Sequence, residues 1–215
     1  CKWFVEGDIK GFFDNIDHEL LLKVVHRHVE EPWICMYIER WLKTPFVLQD
    51  GQVVERNAGT PQGGVISPIL ANMFLHYVFD MWMKRNFPQA PFERYADDGV
   101  VHCSTKEEAL YIKERLTKRF GECKLELHPT KTRIVYCKDK DRTRNEELTE
   151  FDFLGYTFKA AYIKCKDGVM RYNFIASVSK SAAKGFRDKI KAMEIHKKTG
   201  CKIDIIAEML NPMIR

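Results

Sequence analysis

The 215-residue sequence lacks the features that mark several common classes of protein. Its apolar stretch over residues 65–79 is interrupted by Ser67, Pro68 and His76, so no segment is typical of a membrane span. The seven cysteines are scattered and never form a Cys-x-x-Cys pair, which argues against a disulfide framework and indicates a reducing cytosol. Repeats and low-complexity tracts are absent, and a hydrophobic content of 45% excludes general disorder. The sequence therefore predicts a cytoplasmic globular protein.

Acidic residues are scarce in one part of the chain. Residues 159–202 carry twelve Lys and Arg side chains and three Asp and Glu side chains, a net charge of +9 within a total of +5. The first 158 residues sum to −3. A near-neutral body followed by a basic segment suits a polyanionic partner such as nucleic acid. A solvated lysine-rich helix is the alternative interpretation.

Local patterns indicate an α+β domain. Alternating apolar residues predict a strand over residues 2–8, Asp17 and Pro32 are typical of helix starts, and residues 50–51 predict a hairpin turn. The predicted elements that follow are, in order, an apolar helix capped by Ser67 and ending near residue 85, a hairpin turning at residues 97–99, a helix beginning at Thr105, a strand over residues 132–137, a strand and a hairpin over residues 151–176, and a basic helical segment from residue 177. This order is typical of a split βαβ fold, in which an antiparallel sheet packs helices on one face.

Three aspartates lie where this fold could bring them together. Asp8 ends the first predicted strand, and Asp97 and Asp98 occupy the turn of a predicted hairpin. Convergent carboxylates of this kind can hold the two divalent cations that assist phosphoryl transfer. Taken alone the pattern is weak, because Asp-Asp-Gly is also ordinary turn chemistry.

Five ordered motifs surround these carboxylates. They are Phe4-Val5-Glu6-Gly7-Asp8-Ile9-Lys10-Gly11-Phe12-Phe13-Asp14, Gly59-Thr60-Pro61-Gln62-Gly63-Gly64-Val65-Ile66-Ser67-Pro68 with Asn72, Tyr95-Ala96-Asp97-Asp98, Leu125-Glu126-Leu127-His128-Pro129-Thr130-Lys131-Thr132, and Phe153-Leu154-Gly155-Tyr156-Thr157-Phe158. The series resembles the motifs of reverse transcriptases, specifically those encoded by bacterial group II introns. The resemblance extends from about residue 2 to the end of the chain, where residues 210–215 are similar to the start of a maturase region.

The resemblance implies a metal site. Asp8 and Asp97 match the carboxylates that hold both catalytic Mg²⁺ ions, for which Mn²⁺ can substitute. Ile9 matches the residue that lends a backbone carbonyl, and Asp98 matches a more peripheral third acid. Oxygen ligands are those that Mg²⁺ prefers. Lys131 matches a lysine that either protonates the departing pyrophosphate or only neutralises its charge.

The resemblance also implies contacts with the nucleotide. Phe13 matches the aromatic residue that packs on the sugar of the incoming dNTP and excludes a 2′-hydroxyl, although it could simply be a core residue. Gln62 and Gly63 match nucleotide-binding positions in a glycine-rich loop, which could instead be a plain helix-entry turn.

Contacts with the primer and template are implied further along the chain. Phe153, Leu154 and Gly155 resemble the primer grip. The basic side chains of residues 159–202 suit contact with phosphates. Those expected to bind primer and template are Lys184, Arg187 and Lys191.

Together these matches predict a right-hand polymerase palm at residues 1–15 and 67–175, part of the fingers at residues 16–66, and the start of a thumb at residues 176–215. The expected enzyme is an RNA-directed DNA polymerase that extends a DNA primer on RNA and supports the splicing and mobility of an intron. Upstream fingers and a complete thumb are missing from the match, so the 215 residues alone are expected to be weakly active or inactive.

Three alternatives remain open. The first is an RNA-binding splicing maturase that uses a vestigial polymerase fold as a scaffold, against which the three intact aspartates argue. The second is an RNA-templated RNA polymerase, for which a polar residue is expected in place of Phe13. The third is a reverse transcriptase of a retron, a diversity-generating element or a defence system.

Overall fold

The computed structural model describes residues 2–61, 63–142 and 145–214. The strands are β1 (Trp3–Gly7), β2 (Phe46–Val47), β3 (Val53–Val54), β4 (Phe92–Tyr95), β5 (Asp98–Cys103), β6 (Arg133–Tyr136), β7 (Glu150–Phe153), β8 (Tyr156–Lys164) and β9 (Met170–Val178). The helices are α1 (Phe12–Asn15), α2 (His18–His28), α3 (Pro32–Lys43), α4 (Ser67–Leu75), α5 (Met81–Asn86), α6 (Lys106–Glu122), α7 (Lys180–Ala192) and α8 (Ile203–Ile214). A π-helical segment, His76–Asp80, joins α4 to α5, and a short 3-10 turn, Ile195–Lys197, follows α7.

The central element is a four-stranded sheet in the order β4-β5-β1-β6. Strand β1 is antiparallel to both of its neighbours, with Trp3 opposite Cys103 on β5 and opposite Tyr136 on β6. Helices separate β1 from β4 along the chain, and α6 separates β5 from β6. The connectivity is that of a split βαβ fold, which confirms the predicted fold class.

The two faces of this sheet are covered differently. Trp3 and Val5 are buried in the large core that the helices form on one face. Phe4 points to the other face, as alternation along a strand requires, and its ring lies 5.0 Å from that of Phe151 on β7. Helices therefore pack on one face, as predicted, and the small antiparallel sheet β7-β8-β9 covers part of the other.

The long apolar helix begins one residue earlier than the sequence suggests. Ile66 is its N-cap, whereas Ser67 lies in the first turn, where its hydroxyl donates a hydrogen bond to the carbonyl oxygen of Pro61 at 2.7 Å. The helical run extends to Asn86, close to the predicted end, but the π-helical segment interrupts it. Such segments widen the helix locally and often occur near functional sites.

The hairpin that carries the two adjacent aspartates also turns earlier than predicted. Tyr95 pairs with Asp98, so the turn consists of Ala96 and Asp97, and Asp98 is the first residue of β5. Ala96 adopts the left-handed conformation, with φ of 51°. The prediction was wrong because it assigned the turn to Gly99, the residue with the greatest conformational freedom.

The C-terminal part is more exposed. Ser179 caps α7 by accepting a hydrogen bond from the backbone N–H of Ala182, and none of the residues of α7 is buried. Within the described ranges no helix is long and apolar enough to cross a membrane.

Candidate active site

The backbone of Asp8 is hydrogen-bonded to the segment that precedes β6. Asp8 follows the end of β1, and its carbonyl oxygen accepts hydrogen bonds from the N–H of His128 at 2.8 Å and from the hydroxyl of Thr132 at 3.3 Å. Thr132 is buried and directly precedes β6. These contacts fix the position from which the Asp8 carboxylate projects. The side chain itself is 19% exposed.

The three predicted carboxylates share one electrostatic environment. Gly7 pairs with Gly99, so Asp8 and Asp98 extend from the same end of neighbouring strands, and Asp97 lies in the adjoining turn. Partial burial raises the pKa of Asp98, and the negative charges of Asp97 and Asp8 raise it further, whereas Lys131 opposes the shift. The structure therefore places the two distant parts of the sequence close enough for their charges to interact.

Lys131 lies beside the carboxylates. Its ammonium group is 3.3 Å from Oδ2 of Asp8, and its side chain is 63% exposed. An open groove is lined by Asp8, Asp98, Lys131 and, from β7, Phe153. Because the Lys131 ammonium group has this one exposed contact, its side chain can turn toward an anionic ligand in the groove without a change in the backbone.

A partly buried ion pair also lines this groove. Arg133 donates from Nη2 to Oε2 of Glu6 at 2.7 Å. Burial raises the pKa of Glu6, the arginine opposes this, and Asp152 and Asp98 add to the increase. Neither partner was predicted as a site residue, although Glu6 belongs to the first motif.

The donor set fits divalent cations in its chemistry. Asp8, Asp97 and Asp98 supply carboxylate oxygens, the ligand type that Mg²⁺ prefers. Burial and then repulsion by Asp97 and Asp8 raise the pKa of Asp98, and a bound cation would relieve that repulsion. In the described ranges, however, no three acidic, histidine or cysteine side chains are already gathered closely enough to form a metal site. The fit is thus one of chemistry and proximity, not of a preformed cage.

Phe13 and the glycine-rich loop lie against each other. The carbonyl oxygen of Phe13 accepts a hydrogen bond from the N–H of Thr60 at 2.7 Å, and the buried His18 contacts the carbonyl of Gly59, also at 2.7 Å. Gly59 has φ of +80°, and a Cβ there would lie 2.6 Å from the Phe13 carbonyl oxygen, so the close approach requires glycine.

The other predicted nucleotide contacts are placed less completely. The Phe13 ring is half-buried and packs partly on the core. Gly63 has open space at the position of a Cβ, with φ of +86°. Gln62 lies outside the described residues.

The predicted primer-grip residues form a tight turn between β7 and β8. Leu154 and Gly155 both have positive φ, 50° and 79°, as expected for a two-residue hairpin. The carbonyl oxygen of Gly155 accepts a hydrogen bond from the N–H of Ser179, so the turn is joined directly to the start of α7. Of the six predicted primer and template residues, Phe153 lines the carboxylate groove. The exposed side chains of Lys184, Arg187 and Lys191 do not.

Sequence reasoning missed Arg94, which precedes the Tyr-Ala-Asp-Asp motif. Its guanidinium donates from Nε and Nη2 to the two oxygens of Asp80, each at 2.7 Å, and from Nη1 to the carbonyl oxygen of Ala96 at 2.8 Å. The residue adjoins a motif that the sequence displays, but its partner lies on a helix fourteen residues earlier. Only the fold reveals the pairing.

Residues 1–158 match the family model described as reverse transcriptase (RNA-dependent DNA polymerase). Over 125 residues the chain is 38% identical to the group II intron-encoded protein LtrA of Lactococcus lactis subsp. cremoris, a match that covers 57% of this chain and 20% of that protein. It is 28% identical over 171 residues to protein YkfC of Escherichia coli (strain K12), covering 64% of this chain and 44% of that protein. The chain thus spans less than half the length of these curated relatives.

Solved structures show the same fold at low identity. A telomerase from Candida albicans in complex with a fragment of telomeric RNA aligns with a TM-score of 0.57 at 14% identity, covering 80% of this chain and 31% of that chain. Apo telomerase from Candida tropicalis, truncated from its C-terminal domain, gives 0.56 at 11% identity, with coverage of 80% and 35%. The likeness confirms the predicted polymerase palm fold.

Proposed function

Because the chain belongs to the reverse transcriptase family, we propose that it forms the polymerase core of a group II intron-encoded protein that copies RNA into DNA. One observation carries the proposal: a single groove is lined by Asp8, Asp98, Lys131 and Phe153, and the turn that bears Asp97 adjoins it. The site thereby combines carboxylates that can bind metal cations, a lysine that can bind phosphate, and Phe153, which is assigned to the primer grip.

The reaction is nucleotidyl transfer. The 3′-hydroxyl of the primer loses its proton to water and its oxygen attacks the α-phosphorus of a dNTP. The bond between that phosphorus and the oxygen bridging to the β-phosphorus breaks, and pyrophosphate leaves. Asp8, Asp97 and the carbonyl of Ile9 would hold two Mg²⁺ ions, with Asp98 in a peripheral position. Ions so bound stabilise both the attacking and the leaving oxygen.

Lys131 supplies positive charge near the departing pyrophosphate. Its contact with Asp8 places the ammonium group at the edge of the groove, where it offsets the charge that develops on the leaving group. Lys131→Arg and Lys131→Ala separate charge from proton donation, since arginine keeps the charge and does not release a proton. If neutralisation suffices, Lys131→Arg retains most of the kcat that Lys131→Ala loses. If Lys131→Arg is as slow as Lys131→Ala, the proton is required.

The nucleotide lies against the surface that the Phe13 ring and the glycine-rich loop form together. The hydrogen bond between Phe13 and Thr60 joins the residue assigned to the sugar to the loop of Gln62 and Gly63. In this assignment the Phe13 ring lies against C2′ and leaves no room for a hydroxyl, while Gln62 contacts the nucleotide.

The primer and template follow the C-terminal part of the structure. The turn of Leu154 and Gly155 approaches the primer 3′ end, and the exposed basic side chains of α7 contact phosphates. The corresponding division is palm at residues 1–15 and 67–175, fingers at residues 16–66 and the start of the thumb at residues 176–215. Intron RNA is the proposed template and partner, in splicing as well as in mobility.

Primer extension tests the proposal. Full-length protein should extend a DNA primer on an RNA template when dNTPs and Mg²⁺ are present, and Asp8→Asn should remove extension while leaving RNA binding intact. Exposed Glu126→Gln, on the segment beside Asp8 but outside the groove, is the matched control and should extend normally. Extension by Asp8→Asn at the control rate would refute the assigned site, and a protein that binds RNA without extending any primer would support a scaffold instead.

A further inference from the structure

Arg94 connects the turn of Asp97 to the long helix. Strand β4 carries Arg94, whose Nη1 reaches both the carbonyl oxygen of Ala96 at 2.8 Å and Oδ1 of Asn72 on α4 at 2.9 Å. Its other two nitrogens form the paired contacts with Asp80 at the end of the π-helical segment. Both charged side chains are largely buried, with 12% exposure for Arg94 and 17% for Asp80. Paired, charge-assisted hydrogen bonds fix the orientation of a guanidinium.

The contact at Ala96 matters because of the conformation there. Ala96 adopts the left-handed region that residues with a Cβ seldom occupy. A residue in that conformation persists where its surroundings hold it, and Arg94 holds its carbonyl oxygen. The next residue is Asp97, so the same hydrogen bond restrains the backbone from which the Asp97 carboxylate projects.

Asp80, and not Asp97, is the carboxylate that forms an ion pair with Arg94. The carboxylate of Asp80 takes two of its hydrogen bonds and neutralises it. Asp97 has no hydrogen bond or ion pair with any described residue, although it lines the same small cavity as Arg94. Without Asp80, the guanidinium would be an unpaired buried cation next to Asp97 and would compete for its carboxylate.

We propose that Asp80, Arg94 and Asn72 are positioning residues that hold the Ala96–Asp97 turn and keep the Asp97 carboxylate available to a divalent cation. The inference rests on the proposed function, since it assigns Asp97 to the metal site. The π-helical segment lies between Asn72 and the end of the run at Asp80, and both of these side chains contact Arg94.

Metal binding measured without turnover tests the proposal. In the full-length protein, Mn²⁺ titration followed by electron paramagnetic resonance gives the affinity in the absence of dNTP, and the Mg²⁺ dependence of primer extension gives a second readout. Arg94→Lys should weaken both by about 10- to 100-fold, the usual effect of removing a residue that orients a ligand. Higher Mg²⁺ should restore much of the extension, which a general loss of structure would not allow.

Arg119→Lys is the matched control. Arg119 on α6 also donates to this helical run, from Nε to the carbonyl of Val78 at 3.1 Å and from Nη2 to that of Tyr77 at 3.3 Å, but it does not contact the turn. Its variant should bind Mn²⁺ as the wild type does. Equal weakening in the two arginine variants, or none in Arg94→Lys, overturns the proposal.

A second variant covers a failure of Arg94→Lys to fold. Asp80→Asn preserves the size of the side chain and one acceptor but removes the charge that neutralises Arg94, so it too should weaken Mn²⁺ binding. Unchanged affinity in folded Asp80→Asn overturns the proposal. Asp97→Asn separates the proposed metal site from the proposed positioning role. If Asp97→Asn keeps metal binding and extension, the assignment of Asp97 to the metal site is wrong. If it loses both while Arg94→Lys behaves as the wild type does, only the positioning role is wrong.

Discussion

The groove lined by Asp8, Asp98 and Lys131 and the basic helix α7 differ in how firmly the fold holds them. Strand β1, which leads to the groove, lies between two other strands, and its residue Val5 is only 1% exposed. The carbonyl oxygen of Asp8 accepts hydrogen bonds from residues 120 or more positions away in the chain. Helix α7 has no buried residue, and a hydrogen bond from Ser179 to Gly155 joins its start to the β7-β8 turn.

This difference predicts two kinds of response to substitution. Side chains in the groove are positioned by backbone contacts, so changing their chemistry should change the reaction while the fold persists. The basic side chains of α7 extend into solvent, where their contributions to binding are individually small and depend on salt. Substitutions in the two regions should therefore separate catalysis from affinity.

Asp97→Asn should have the largest effect. It removes a negative charge from the site assigned to both cations, and losing several kcal/mol of metal-dependent stabilisation corresponds to a decrease of about a thousandfold in kcat for primer extension. The exposed Asp204→Asn on α8 is the control and should extend normally. Circular dichroism should show both variants folded. A folded Asp97→Asn that retains more than a tenth of the wild-type rate would show that catalysis does not depend on the carboxylates of the groove.

Phe13→Val should have the next largest effect, on the choice of sugar. If the ring fills the space beside C2′, a ribonucleotide costs about 1–3 kcal/mol through overpacking. A smaller side chain should then lower the ratio of kcat/KM for dNTP over rNTP by roughly 10- to 100-fold. Competitive incorporation assays on the full-length protein measure the ratio.

The adjacent aromatic residue provides the control for Phe13. Phe12 is 2% exposed and belongs to the core, so Phe12→Leu should lower the melting temperature and leave the sugar ratio unchanged. An unchanged ratio in Phe13→Val would identify Phe13 as a second core residue. It would also leave an RNA-templated RNA polymerase as a viable interpretation.

Local sequence patterns sufficed for elements whose signals are local. The caps at Asp17 and Thr105 were placed correctly because the side-chain acceptor and the first turn are neighbours in the chain. The turn of Ala96 was missed because its left-handed conformation depends on a contact from Arg94, not on the propensity of alanine. The π-helical segment has no comparable local signal, and its partner Arg94 is brought near by sheet pairing.

In the candidate site, too, the residues that belong to sequence motifs could be predicted, and contacts between distant residues could not. The motifs predicted Asp8, Asp97 and Asp98, and the fold places them within electrostatic reach of one another. The ion pair of Glu6 and Arg133 could not be predicted, since it joins residues 127 positions apart through the pairing of β1 with β6.

Replacing Lys184, Arg187 and Lys191 together with alanine should have a smaller effect, on binding alone. Spacings of three and four residues place these side chains on one side of α7. If each neutralises a phosphate of single-stranded RNA, the slope of log K against log salt should decrease by about 0.7 per contact, or 2 in total. Fluorescence anisotropy over a salt series measures the slope.

Lys189→Ala is the control for that experiment. Residue 189 is two positions from both Arg187 and Lys191, which places it on a different side of the helix, so its loss should leave the slope nearly unchanged. An unchanged slope in the triple variant would mean that these side chains are only a solvated face. Equal kcat values in the triple variant and the wild type at saturating RNA would support the separation of affinity from catalysis.

The smallest expected effect concerns stability, and it comes from Asp98. The folded protein raises the pKa of this carboxyl above its usual 3.8, by burial and by the charges of Asp97 and Asp8. The folded state therefore binds a proton more tightly than the unfolded state, so the free energy of unfolding decreases as pH rises through the interval between the two pKa values. Above that interval the ionised carboxylate destabilises the fold. Asp98→Asn should accordingly melt slightly above the wild type at pH 7, and this difference should vanish as the pH falls below about 3.8, where the wild-type carboxyl is protonated in both states.

Mg²⁺ should narrow the difference at pH 7, because a cation bound to the native carboxylates stabilises the wild type more than the variant. Thermal melts at several pH values, with and without Mg²⁺, measure both trends. A variant that melts at or below the wild-type temperature at pH 7 without Mg²⁺ would show that burial and the neighbouring carboxylates do not disfavour the ionised form of Asp98.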